Sequence, residues 1–301
     1  MRVTTQMAVD TLVSNLDRSF DRITRFQSSL SSGKRLNALS DDPAAVERSL
    51  GLRNELRGIE QFHKNIDDGV GWLQLSEATL NDMEGVFVEA GGLAVQGASD
   101  TYNTQQRLAI ADQVDQFLEH TLNLSEARYR GRYIFGGTQT GEPPYKANRD
   151  AKGNILDLQT HGDTTGSVER EVSDGVVMQV NIPGHDLFEG DGNAFKVLTE
   201  LRDALRADDT KRVQASLTGL SAMRDKISAA RGLVGARVNR MQITGNLLDR
   251  VSTELTTSLS ADEDTDLADT IVNLRQQQDV FQAALSSGNS VVPQSLIDFL
   301  R

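Results

Sequence analysis

Residues 30–44 read LSSGKRLNALSDDPA, and the reading of this stretch decides the fold. A regular apolar repeat stops just before it and a new helical repeat begins just after. Ser31, Ser32 and Gly33 suit a helix end, because glycine adopts the left-handed cap conformation without steric penalty. Asp42 followed by Pro43 is a helix start. The carboxylate can accept from free first-turn amides, and proline loses no hydrogen bond at the first helical position. The stretch is therefore expected to be a joint between two long helices.

Upstream of the joint, Val9, Leu12, Leu16, Ser19, Ile23, Phe26 and Leu30 recur at spacings of three and four. That is a heptad seam with a polar gap at Ser19. A helix carrying only this narrow stripe needs a partner in water. The partner is either another element of the same chain or a second chain that orders the segment on assembly. Downstream, Val46, Leu50, Leu56, Ile59, Phe62, Trp72, Leu73, Leu80, Met83 and Phe87 carry a second long helix. A weak point is expected at 67–71, where Gly69 and Gly71 flank Val70, and fraying is expected near 97–103. Leu108, Val114, Phe117, Leu118 and Leu122 mark a third helix.

The texture changes at Gly131. Between 132 and 193, Gly, Pro, Asp and Thr crowd together, and the runs 155–158, 168–172 and 176–182 alternate apolar and polar residues. These are strand signals, with turns at 152–154 and 173–175. Helical spacing returns over 195–205, 213–227 and 234–259. An acidic break follows at 261–266. Leu267, Ile271, Leu274, Gln278, Phe281 and Leu285 then form a second heptad seam, its polar gap at Gln278. A last apolar turn holds Leu296, Ile297, Phe299 and Leu300.

The expected fold is mainly α: nested long helices and terminal coiled-coil arms with a small inserted β-rich domain. Residues 1–42 and 262–301 would be the arms, 43–131 and 194–261 a helical core, and 132–193 the β-rich insert. The two seams would pair, with Gly33, Asp41, Asp42 and Pro43 on the outgoing side of the joint and Asp264 and Asp266 on the returning side.

The chain has 301 residues, no cysteine, 5% aromatics and a net charge of −12. Disulfides and thiolate metal sites are excluded, and the charge disfavours nucleic acid and anionic membrane surfaces as partners. No run approaches the 18 or so apolar residues of a membrane span. The N-terminus lacks a basic start followed by an apolar core, so it does not read as a cleaved signal. His63, His120, His161 and His185 are scattered without ligand spacing. No nucleophile elbow, phosphate loop or complete dinucleotide motif occurs. Asp262 to Asp266 fails as a calcium loop, since its sixth and twelfth positions are Leu267 and Asn273. It reads instead as a cap for the helix beginning at Leu267, and Asp186, Glu189 and Asp191 read as a solvated turn. No catalytic residue, cofactor site or metal site is expected, and the chain is not expected to be an enzyme.

Several motifs in one order resemble the flagellin family. The joint 30–35 with Ser40-Asp41-Asp42 is similar to its N-terminal signature, and Leu93-Ala94-Val95-Gln96 matches further on. Gly235-Ala236-Arg237 with Asn239-Arg240 is similar to its C-terminal long helix. Asp264, Asp266 and Ala268 match an acidic step in which Thr265 replaces the usual alanine, and Val292-Pro293-Gln294 matches its closing turn. Arg132-Tyr133-Ile134-Phe135-Gly136-Gly137-Thr138 with Pro143-Pro144 resembles the branch of this family found at the hook–filament junction. The resemblance implies a secreted structural component of the bacterial flagellum, exported through the flagellar channel without a cleaved signal. Its implied partners are an export chaperone at the C-terminal helix, the first hook-associated protein, flagellin and further copies of itself in a ring or tube. Assembly would run through Val9, Leu12, Leu16, Ile23, Phe26 and Leu30 of one arm. On the other arm it would use Leu267, Ile271, Leu274, Phe281, Leu285, Leu296, Phe299 and Leu300. A filament subunit and, further off, a secreted coiled-coil adhesin are the alternatives.

Overall fold

The structure is a computed structural model describing residues 2–151 and 153–291. Seven helices and six short strands follow one another among the described residues. The helices are α1 (Arg2–Ser32), α2 (Pro43–Gly97), α3 (Thr104–Ser125), α4 (His185–Phe188), α5 (Ala194–Arg206), α6 (Thr210–Glu263) and α7 (Leu267–Val291). The strands are β1 (Arg128–Tyr129), β2 (Arg132–Tyr133), β3 (Tyr145–Arg149), β4 (Ile155–Thr160), β5 (Glu169–Ser173) and β6 (Val176–Gln179). The chain is mainly α-helical with a small β-rich region.

Two compact units divide it. One comprises residues up to 58 and from 250 onward, the other residues 59–249. The division falls inside α2 and α6, deeper in the chain than the joint, and it leaves the β-rich stretch in the same unit as the helices that flank it.

In the larger unit, α2 runs through 67–71 without the expected weak point. The glycines there are required by packing. A Cβ on Gly69 would lie 2.9 Å from both Met241 and Val180, and one on Gly71 would lie 2.9 Å from the Tyr129 ring. Close approach of neighbours compensates the ~1 kcal/mol helix penalty of each glycine. Trp72, Leu73, Leu80, Met83 and Phe87 are almost wholly buried along α2. The spacing likewise suggested a break between 227 and 234, but α6 is one helix. Neither proline nor an alternative cap interrupts it, and Val234 and Met241 remain fully buried.

A reciprocal cap starts α3, in which Asn103 accepts from the Gln106 amide and the Gln106 side chain accepts from the Asn103 amide. An Asn193 cap starts α5. These two helices pack together through Ile110, Val114 and Leu118 on one and Leu198, Leu201 and Leu205 on the other. Each such side chain contributes about 1.5–3 kcal/mol on burial.

The strands form three separate antiparallel hairpins, β1–β2, β3–β4 and β5–β6, not one sheet. Tyr145 pairs with Thr160 and Ala147 with Leu158 in the second; Arg170 pairs with Met178 in the third. Two-stranded hairpins are marginal alone. Phe188 ties the second hairpin to its surroundings, its ring centroid 5.1 Å from Tyr145 of β3, 5.3 Å from Phe135 just past β2 and 5.9 Å from Phe195 of α5.

Candidate functional site

The two helical ends of the smaller unit build the site. Gly33 closes α1 with φ +71°. Its carbonyl accepts from the Thr265 amide at 3.0 Å, and the Arg35 amide donates to the Glu263 carbonyl at 2.6 Å. Lys34 and Asp264 thus form a single antiparallel bridge where the outgoing and returning segments cross. The Asp41 carboxylate accepts from the Asn37 and Ala38 amides at 3.1 and 2.8 Å, tightening the loop. Asp42 caps α2 through the Ala45 amide at 3.1 Å, with Pro43 at the first helical position. Asp266 caps α7, accepting from Ala268 at 2.8 Å and Asp269 at 3.1 Å. Asp264 turns to the Ser260 hydroxyl.

A cluster of charges locks the crossing. The Glu263 side chain is only 5% exposed. It accepts from Arg53 Nε at 2.7 Å and Nη2 at 2.5 Å, and from the Lys34 ammonium. Arg53 donation is the chief force on the carboxyl, opposed by burial and assisted by Lys34, and together they hold its pKa at about 2. Beside it, Arg48 forks onto Asp262 at 2.8 and 3.2 Å, which lowers the Asp262 pKa and raises that of Arg48. Arg35 donates to the Asp262 carbonyl at 2.8 Å. The sequence reading recognised the acidic run as a cap, which is the role of Asp266. It missed Glu263 as the centre of the joint. The available signal was the spacing of basic residues, with Lys34-Arg35 just past the helix end and Arg48 and Arg53 on the first turns of α2.

The arms α1 and α7 pair antiparallel. Ser19 accepts from Gln277 Nε2 at 2.7 Å, the Phe20 and Phe281 rings lie 6.3 Å apart, and Gly288 meets Leu12. Helix α1 shields Val9, Leu12, Leu16, Ser19, Ile23, Phe26 and Leu30. Its partner uses only Leu274 and Phe281 of the expected stripe. Helix α7 shields Thr270, Leu274, Gln277, Phe281, Ala284 and Gly288, while Leu267, Ile271 and Leu285 are 51%, 42% and 47% exposed. The polar partner of Ser19 is accordingly Gln277, not Gln278. Small residues set this face: a Cβ on Gly288 would lie 2.8 Å from the end of the Leu12 side chain, which would have to shift to admit it. Leu296, Phe299 and Leu300 lie outside the described residues.

At 100° per residue, Leu267, Ile271 and Leu285 fall on one edge of the α7 contact face, and Val13 and Phe20 on one edge of the α1 face. In an antiparallel pair these two edges lie on the same side. Val13 and Phe20 are 50% and 58% exposed. A second apolar stripe therefore runs along the paired arms, uncovered by the described residues.

In the acidic turn at 186–191, Asp186 and Asp191 are exposed as expected, and Glu189 is not. Glu189 is partly buried and accepts from Tyr145 at 3.3 Å and from Thr164, with His185 at 3.1 Å. Burial pushes its carboxyl up, but the hydrogen bonds from Thr164 and His185 prevail and hold it below the usual range. The Tyr145 phenol is pushed up by burial and by the Glu189 charge. Among the described residues, no group of three or more acidic, histidine or cysteine side chains could hold a metal ion. No helix among them is long and apolar enough to cross a membrane.

Comparison with known proteins supplies the context. The sequence profile of the bacterial flagellin N-terminal helical region matches residues 3–140. A flagellin of Halalkalibacterium halodurans is 25% identical over 280 residues, covering 90% of this chain and 89% of that protein. The crystal structure of Bacillus cereus FlgL superposes with a TM-score of 0.56 at 23% identity, covering 70% of this chain and 99% of that one. The flagellar junction protein FlgL of Legionella pneumophila superposes with a TM-score of 0.58 at 12% identity, covering 73% and 100%.

Proposed function

We propose that this chain, whose residues 3–140 match the flagellin N-terminal helical region, is a non-enzymatic structural protein of the flagellum and, within it, the hook–filament junction subunit, hook-associated protein 3. The observation that carries the reading is the uncovered apolar stripe on the paired arms, joined to a helical body bearing three small hairpins. In assembly the stripe packs against neighbouring arms in a ring or tube. Apolar burial at about 25 cal/mol per Å² drives that step, offset by the entropy of ordering. Residues 1–42 with 262–301 act as the arms, 43–131 with 194–261 as the wall, and 132–193 as the projecting insert.

The subunit is exported through the flagellar channel, held before export by a chaperone at its C-terminal helix. It then joins the first hook-associated protein on one side to flagellin on the other. The work is mechanical adaptation and involves no bond chemistry. The resemblance of residues 132–144 to the junction branch and the full coverage of two FlgL structures support this assignment. Relatives named flagellin favour a second reading, a filament subunit.

Deletion separates the two. Loss of a junction subunit leaves hooks intact while flagellin is shed into the medium as monomer. Loss of filament polymer without such shedding makes the chain a filament subunit and refutes the junction role.

A further inference from the structure

The larger unit contains a cleft of about 340 Å³ bounded by Asp68, Trp72, Tyr129, Arg130, Arg132 and Arg170. Asp68 is its only carboxylate, and two guanidinium groups share it. Arg130 reaches one oxygen at 3.1 Å, and Arg170 reaches the other at 3.3 and 3.2 Å through Nε and Nη2. The Arg132 side chain has no ion pair among the described residues. Three cations against one anion leave the cleft at +2, in a chain whose net charge is −12.

Two further observations point to a ligand. Arg130 sits at φ +49° and Gly131 at φ +80°, the pair of positive angles of a type I′ turn between β1 and β2. Asparagine, aspartate or glycine normally fills the first of these positions. An arginine there costs of order 1–2 kcal/mol, a strain that placement of its side chain over the cleft would explain. The indole N–H of Trp72, a residue 1% exposed, has no hydrogen-bond acceptor. Its ring packs edge-on to Tyr129 at 5.9 Å, and the Arg130 guanidinium lies 5.3 Å from the Tyr129 centroid.

We propose that this cleft binds an oxyanion, a carboxylate or phosphate group held by Arg130, Arg132 and Arg170 against the Trp72–Tyr129 wall. Planar guanidinium groups match such groups bidentately, and Asp68 already shows that a carboxylate is held here, one oxygen on Arg130 and the other on Arg170. The cleft accommodates one acidic side chain or one phosphate, so it serves either a free anion or an acidic segment of another protein.

Trp72 is the only tryptophan of the chain, so its fluorescence reports on the cleft directly. The full chain is titrated with inorganic phosphate and, separately, with a hexaglutamate peptide, each against sodium chloride at matched ionic strength. A saturable change in emission is expected with at least one of them. Saturation with phosphate alone identifies a free anion as the ligand; saturation with the peptide identifies an acidic protein segment. Arg130→Gly suits the left-handed position, so it should melt no lower than the parent chain yet bind at least tenfold more weakly. Arg132→Gln should weaken binding similarly. Absence of a saturable response beyond sodium chloride, or unchanged affinity in both variants, overturns the proposal.

Discussion

Replacing Glu263 with glutamine removes one charge and almost no volume from the joint. The carboxyl titrates at about 2 in the folded chain against an ordinary 4.5. At about 1.36 kcal/mol per pKa unit, that gap corresponds to at most about 3–4 kcal/mol of stabilisation. The side chains of its partners Lys34 and Arg53 are 40% and 47% exposed. Solvent screens both and rehydrates them once the anion is gone, so about 1–2 kcal/mol is expected in practice. The sign follows from the direction of the shift. Because the folded pKa lies below the unfolded one, the stabilisation is complete above about pH 4.5 and is lost as pH falls towards 2. The assay is amide hydrogen exchange at Arg35 and Thr265, whose N–H groups bridge the two crossing segments. In Glu263→Gln these amides should exchange some five- to thirtyfold faster at neutral pH, the equivalent of 1–2 kcal/mol. Corrected for intrinsic exchange, the difference between the two chains should shrink as pH falls below 4.5. Equal protection at neutral pH, or a difference that does not change with acidification, would refute the clasp.

Ile271→Asp, on the exposed stripe of α7, should change the melting temperature by no more than the error of the measurement while abolishing incorporation into flagella; normal incorporation, scored by microscopy and motility, would remove the arm stripe from the assembly mechanism. Arg202, 2% exposed, donates to the Ile155 carbonyl at 2.5 Å and to Asp115 and Asp203, so Arg202→Ala should cost about 2–4 kcal/mol in urea unfolding through the groups left unpaired. Gly137→Ala should cost about 2–3 kcal/mol by the same assay, because φ is +56° and the added Cβ would lie 2.9 Å from the Thr164 carbonyl carbon.

Much of the helical frame was legible because long helices declare themselves by periodicity. The α1 seam from Val9 to Leu30 is the face the structure shields, and the caps at Asp42 and Asp266 are where the joint needs acceptors. The α7 face was misread because apolar spacing gives weight to leucine and isoleucine and none to glycine or alanine. Close helix packing is set by the small residues, here Ala284 and Gly288, and the larger Ile271 and Leu285 are left outside. Gly69 and Gly71 were misread for the related reason that a glycine in a helix looks like a defect until the neighbour packed on it is known.

The sequence by itself determined where helices stop and start at the joint, that strands lie near 155–158, 168–172 and 176–182, and that residues 30–44 face the acidic step near 264. Those properties depend on backbone propensity, capping and period, which act over a few residues. Only the tertiary structure decided which stripe of α7 meets α1, that Glu263 gathers Lys34 and Arg53, and that three arginines meet beside Trp72. These depend on distances between residues remote in the chain. Coulomb attraction, desolvation and steric fit act through those distances, and no local pattern encodes them.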